Sequence, residues 1–263
     1  MYHGYFFSLL VEHTMIDFYK SYYGFSFRTQ CHALDQVIHN SATFNNITFF
    51  YSQPKAAEVD QRHPIVSIGY ESLYIRNTEF YIYGDETTVS PNIAIIPGLT
   101  WVEELDHVFE IVLENIYNTN PNYETTSTED SSVFYVMKTF TGFNYDFKMK
   151  NVTFENVHNT GRMFILEIWN LGSKYSRYSM TDIYFKNVYS DKGMFRFYGG
   201  QQVEIGGIHI DNITLLTDTH ALQIENVSSL QLHNITIKNV TPPNLYTNSV
   251  FHLVSQDTFD RFS

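Results

Sequence analysis

Apolar and polar residues alternate in short bursts along the chain, and the bursts keep ending on asparagine. In FKMKNVTFENVHNT, residues 147–160, the alternation of a half-buried strand stops at Asn156. The same block, apolar–x–apolar–x–Asn, recurs at Asn46, Asn77, Asn115, Asn156, Asn187, Asn212 and Asn239, in steps of 31, 38, 41, 31, 25 and 27 residues. Four residues before each Asn stand Ala42, Leu73, Ile111, Val152, Ile183, Ile208 and Ile235. Two before stand Phe44, Ile75, Leu113, Phe154, Phe185, Ile210 and Ile237. A degenerate earlier copy falls at Ile16–Lys20.

A period of two places the −4 and −2 residues on one face of a strand. The Asn shares their parity, and the residue after it is mostly apolar too. The chain is therefore expected to bend there, with the Asn side chains facing inward. Asparagine suits a bend because it tolerates left-handed backbone angles and its amide can bond nearby backbone groups. Stacked at one corner, such amides can form a ladder.

A second apolar–x–apolar block opens each unit, at Phe25, Ile65, Ile93, Phe134, Phe164, Phe195, Leu222 and Phe251. Units of 25 to 41 residues, made of short strands with no helical period, describe a solenoid. A propeller would need blades of about 40–45 residues built from tight hairpins. Its Asn-Gly and Asp-Gly turns are missing.

The pattern resembles the right-handed parallel β-helix of the pectin-lyase-like superfamily over residues 5–255. That resemblance implies an all-β domain spanning 1–263, with about eight coils and an Asn ladder at one corner. Equivalent residues then stack about 4.8 Å apart, which buries Phe154 between Leu113 and Phe185. The outward column before the Asn reads Asn45, Arg76, Glu114, Glu155, Lys186, Asp211, Lys238, a charge ladder with one like-charge step at Glu114 and Glu155. The −3 column, Thr43, Tyr74, Val112, Thr153, Tyr184, His209, Thr236, suits an exposed face.

Composition sharpens the picture. Tyr and Phe number 20 and 22, which favours strand. A net charge of −12 with no basic cluster argues against nucleic acid or an anionic membrane surface as partner. The single cysteine, Cys31, permits no intrachain disulfide and reads as a small buried hydrophobe. No apolar run reaches the roughly 18 residues of a transmembrane helix. The first twenty residues lack the basic n-region and long h-region of a signal peptide. Neither end offers a capping helix, so the chain is expected to be a segment of a longer one or to meet partners at its ends.

Chemical motifs are sparse. Pectin-lyase-like hydrolases carry Asn-Thr-Asp, Asp-Asp, His-Gly and Arg-Ile-Lys signatures; here the only one is His3-Gly4, outside the repeats. The lyases' calcium-binding Asp cluster has no counterpart, and none of the eleven His forms a metal motif. No catalytic, metal or cofactor residues are assigned. Gly199-Gly200 and Gly206-Gly207 read as turn residues. The loops 53–63, 84–91 and 118–132 are polar, and Glu124, Glu129 and Asp130 lack calcium-loop spacing.

Six Asn-x-Ser/Thr triplets occur, at Asn46, Asn151, Asn212, Asn226, Asn234 and Asn239. If ladder residues face inward, N-linked glycans belong on Asn151, Asn226 and Asn234. The expectation is a non-enzymatic structural or adhesive segment of an extracellular or cell-surface glycoprotein, resembling β-helix regions of large eukaryotic surface proteins. Its partners are other subunits or flanking coils on the ends. The alternatives are a carbohydrate-active enzyme, with Glu110, Glu114 and Glu155 as candidate carboxylates, or a glycan- or protein-binding module using the 118–132 loop.

Overall fold

The computed structural model describes the residues of the strands named below and of the links 193–194, 199–201, 220–221, 226–228 and 234–235. Cys31 and the loop residues 54–62, 85–92 and 121–131 lie outside the described residues. No helix occurs among those described, and every strand pairing is parallel.

The chain alternates between two sheets. The long strands β1 (Ser8–Tyr19), β3 (Ser41–Gln53), β5 (Ser72–Gly84), β7 (Val108–Asn120), β9 (Asn144–Asn159), β11 (Ser176–Ser190) and β13 (Gln202–Leu215) stack in chain order. β13 then pairs with both β15 (Ser229–His233) and β16 (Thr236–Thr241). The short strands β2 (Tyr23–Arg28), β4 (His63–Ile68), β6 (Ile93–Ile96), β8 (Ser132–Val136), β10 (Arg162–Glu167), β12 (Phe195–Tyr198), β14 (Leu222–Glu225) and β17 (Phe251–Val254) form the second sheet, also in chain order. The eight apolar residues that open the second block, Phe25 through Phe251, lie in one unbroken register.

The core mixes columns of aliphatic side chains with aromatic ones. Phe44, Phe49, Phe80, Phe147, Phe154, Tyr178, Phe185, Phe195 and Phe197 are each buried to below 2% exposure. Parallel register places like rings above one another: Phe49 stacks on Phe80 at 5.0 Å and Phe154 on Phe185 at 5.1 Å.

Each long strand bends at a residue with positive φ. His13, Asn46, Asn77, Asn115, Asn151 and Asp182 have φ of 50, 55, 50, 54, 52 and 58°, Gly207 has 65° and Asn234 has 54°. Left-handed backbone costs an ordinary L-residue roughly 1–2 kcal/mol, which Asn and Asp relieve by local hydrogen bonding and Gly avoids. Where Thr follows the corner, its hydroxyl bonds the carbonyl two residues back, as Thr78 does to Arg76 O at 2.9 Å.

Three expectations are corrected here. The corner Asn side chains face outward, not inward: Asn46, Asn77, Asn115, Asn151 and Asn156 are all exposed. The left-handed residue breaks the period of two, so its side chain swings out and its successor takes the inward place. The first corner residue is His13, whose ring lies 2.6 Å from Asn46 Nδ2, rather than a residue of the 16–20 block.

The third correction concerns register. Asn115 falls opposite Asn151, not Asn156, because Leu113 pairs with Met149 and Ile116 with Val152. Phe154 therefore lies beside Asn118 instead of Leu113. Glu114 meets Lys150 rather than Glu155, which removes the like-charge step. From β9 onward each repeat carries a second corner five residues after the first, at Asn156, Asn187, Asn212 and Asn239, with φ of 53, 54, 58 and 52°. There are two ladders where one was expected. In the first, Asn115 Nδ2 donates to Asn77 Oδ1 and Asn151 to Asn115, both at 2.9 Å. In the second, Asn187 donates to Asn156 at 2.9 Å and Asn212 to Asn187 at 2.7 Å. Each ladder drifts by one residue at one end: Asn77 donates to Asn45 and Asn239 to Asp211.

The second corner starts where the ladder of strands is irregular, between Asn118 and Asn120. Asn118 is completely buried, and neither its amide oxygen nor its nitrogen has a hydrogen-bond partner. It occupies the column of Phe49, Phe80, Phe154 and Phe185 and separates the two ring stacks. An unpaired buried amide costs about 1–3 kcal/mol.

The column and the corners can each be tested by substitution. Asn118→Leu raises stability by about 1–3 kcal/mol, or about 2–4 °C in Tm per kcal/mol, in chemical and thermal unfolding. Asn187→Ala lowers stability by about 1–2 kcal/mol through backbone strain, whereas Asn187→Gly, which keeps the angle, loses less; equal losses for the two would show that strain does not set the corner.

Candidate functional site

The two ladders border a strip on the outer face of the long sheet. Within it, Glu155, Lys186, Asp211 and Lys238 form one outward column, and Thr153, Tyr184, His209 and Thr236 the other. Together they line an open trough of about 500 Å³. Tyr184, 37% exposed, stacks on His209 with ring centroids 4.7 Å apart and planes 12° from parallel. Lys186 Nζ lies 2.6 Å from Glu155 Oε1, and Tyr117 donates to the other carboxylate oxygen at 3.2 Å. The trough thus combines an aromatic platform with charges of alternating sign.

A second polar cluster lies before the first corner, on the face of β5, β7 and β9. Tyr74 donates to Glu110 at 2.6 Å, and Lys148 Nζ bridges Glu110 at 2.9 Å and Asp146 at 2.8 Å. Arg76 pairs with Glu114 at 3.4 Å. The three carboxylates considered for catalysis are thus all held in ion pairs. Glu110 lies below the ordinary carboxylate range because of its hydrogen bond from Tyr74 and then that from Lys148. Glu155 is lowered in the same way, chiefly by Lys186. Lys186 and Lys148 are in turn pushed up by their carboxylate partners. Ionised acids and protonated amines that satisfy one another are poorly poised for proton transfer at neutral pH.

The sites expected to carry glycans are all corners. Asn151, Asn226 and Asn234 have φ of 52, 56 and 54°. Asn151 and Asn234 are exposed and Asn226 is half-buried. The other three triplets, at Asn46, Asn212 and Asn239, are also exposed left-handed corners, so the geometry does not set them apart as inaccessible. Of the histidines, His220 and His252 stack at 4.4 Å, and the His233 ring fills the space above Gly206. Among the described residues no group of three or more His, Cys, Asp or Glu side chains converges on a common point. No described helix is long and apolar enough to cross a membrane.

The trough was missed from sequence because it needs both ladders. The signal was present: Asn151 with Asn156, and Asn234 with Asn239, show the five-residue spacing. No protein-family model, no curated protein and no solved structure matches the chain.

The ion network generates a pH prediction. A depressed carboxylate contributes stability at pH above its unfolded value and loses it as pH falls through its folded value; a raised lysine contributes below its unfolded value and loses it as pH rises through its folded one. Lys148→Met is expected to cost about 0–1 kcal/mol at neutral pH, since Lys148 and Glu110 are each over a third exposed and solvent screens the pair. The difference from the unmodified chain should vanish once acid has neutralised both carboxylates that face Lys148, as measured by urea unfolding across the acid range.

Proposed function

We propose that the chain is a right-handed parallel β-helix of about eight coils, a single domain over residues 1–263 resembling the pectin-lyase-like superfamily, and that it serves as a structural or adhesive segment of an extracellular or cell-surface glycoprotein. The observation that supports this most is the coincidence of its Asn-x-Ser/Thr triplets with outward-facing corners. All six acceptor asparagines sit at left-handed corners and are exposed or half-buried. A bulky sugar leaves the core undisturbed at the five exposed ones, while Asn226, whose amide oxygen is buried, is the least open of the six. Asn151, Asn226 and Asn234 remain the proposed glycan sites, and Asn46, Asn212 and Asn239 join them as sterically permitted ones.

A stiff stack of parallel strands suits a rod with broad lateral faces. Its proposed partners are flanking coils or other subunits on the outermost strands. There the apolar residues Leu9, Val11 and Ile16 on one side, and Ile235, Ile237 and Phe251 on the other, are only partly buried. A net charge of −12 does not suit nucleic acid. The trough favours one further reading, a glycan- or protein-binding module; the other alternative is a carbohydrate-active enzyme. The ion pairing of Glu110, Glu114 and Glu155 weighs against the enzyme.

Production behind a secretory leader in a eukaryotic host, followed by glycopeptide mapping, tests the proposal. Sugars on Asn151, Asn226 or Asn234 are expected, with no turnover of polygalacturonate or alginate by the same material. An entirely unmodified secreted chain would overturn the glycoprotein reading, and turnover would overturn the structural one.

A further inference from the structure

We propose that the trough is the seat of this chain's own N-linked glycan, carried by Asn234, whose inner sugars pack across the His209–Tyr184 pair. This rests on the glycoprotein reading above and specifies what one of the glycans does.

Asn234 opens the triplet Asn234-Ile235-Thr236 and stands on the first ladder, one border of the trough. Its left-handed corner, φ 54°, leaves the side chain exposed. In the neighbouring strand the equivalent place is held by Gly207, since Gly206 pairs with His233 and His209 with Thr236. Gly207 itself carries no side chain, and only the Asp182 carboxylate of the strand beyond reaches its position, 2.8 Å from where a Cβ would stand, whereas the Asn151 amide is hydrogen-bonded to Asn115. Thr236, the acceptor triplet's own threonine, lines the trough and is the direct strand neighbour of His209. His209 is in turn stacked on Tyr184.

The reach is short. From Asn234 to His209 the backbone path is two residues along the strand, roughly 7 Å, and one strand across, about 4.8 Å, within the span of the first two sugars. The apolar face of a pyranose ring can rest on the outer edges of the stacked His209–Tyr184 pair, of which Tyr184 is exposed, while its hydroxyls meet Lys186, Asp211 and Lys238 along the parallel column. A volume of about 500 Å³ lies within the range of pockets that hold small ligands. Because the glycan is tethered at the border, even a weak contact is populated by its high effective concentration.

The test compares one sequence made in a secretory eukaryotic host and in a host that attaches no N-glycans, by glycopeptide mapping and thermal unfolding. The glycosylated chain is expected to melt roughly 2–4 °C higher. Asn234→Gly, which removes the acceptor, keeps the left-handed corner and leaves the trough lining untouched, should abolish most of that difference. Tyr184→Ser and His209→Ser should each abolish it as well, although Asn234 remains occupied. If Asn234 is occupied but the difference survives both aromatic substitutions, the packing proposal falls while the glycoprotein reading stands. Occupancy at other sites with Asn234 bare has the same consequence. An unmodified chain from the secretory host overturns both.

Discussion

The left-handed corner is the constraint on which everything else rests. Parallel strands in register require each repeat to bend at the same point as its neighbours, and only a few residues accept the angle that bend needs. Asparagine fills the place most often, with His13, Asp182 and Gly207 as the exceptions on the first ladder. The same angle has three consequences. It turns the corner side chain outward, seats the following residue in the core, and aligns amides so that Asn115, Asn151, Asn187 and Asn212 each donate to the repeat before. Because the amides are exposed, each bond contributes near the low end of the roughly 0.5–1.5 kcal/mol typical of a net hydrogen bond. The aliphatic and aromatic columns beneath supply most of the cohesion and the corners supply the geometry.

Much of this was legible in the sequence. The −4 and −2 positions predicted buried residues such as Ala42, Phe44, Leu73 and Ile75, and all four are buried. The second block predicted the register of the short strands without a slip. What could not be read was the choice between Asn151 and Asn156. Both follow an apolar–x–apolar pair, Phe147 with Met149 and Val152 with Phe154, so the pattern alone cannot say which lies opposite Asn115. Charge carries the missing information, since Lys150 complements Glu114 and Glu155 does not. The inward placing of the corner amides failed for a different reason: a period of two holds only while the backbone stays extended. The trough was half visible, because Thr153, Tyr184, His209 and Thr236 do form one column, but its second border appears only once two ladders are recognised.

The charged columns bear on what kind of surface this is. Glu110, Glu155, Lys148 and Lys186 perturb one another toward full ionisation. Such pairing fixes side-chain positions along the outer face and presents an alternating, nearly neutral pattern despite the chain's overall acidity. Against that alternating charge the stacked Tyr184–His209 pair stands out as an aromatic feature of the trough.

Asn118 and the irregularity beside it divide the molecule into two families of repeat. Repeats before it have one bend per long strand; repeats from β9 onward have two. Within either family a unit meets neighbours of its own kind, so whole units can be lost, gained or exchanged without disturbing the stacking partners. Across the boundary they cannot, because a two-bend strand set among one-bend strands leaves a corner with nothing to rest on. The buried amide therefore marks a grain boundary in an otherwise repetitive protein.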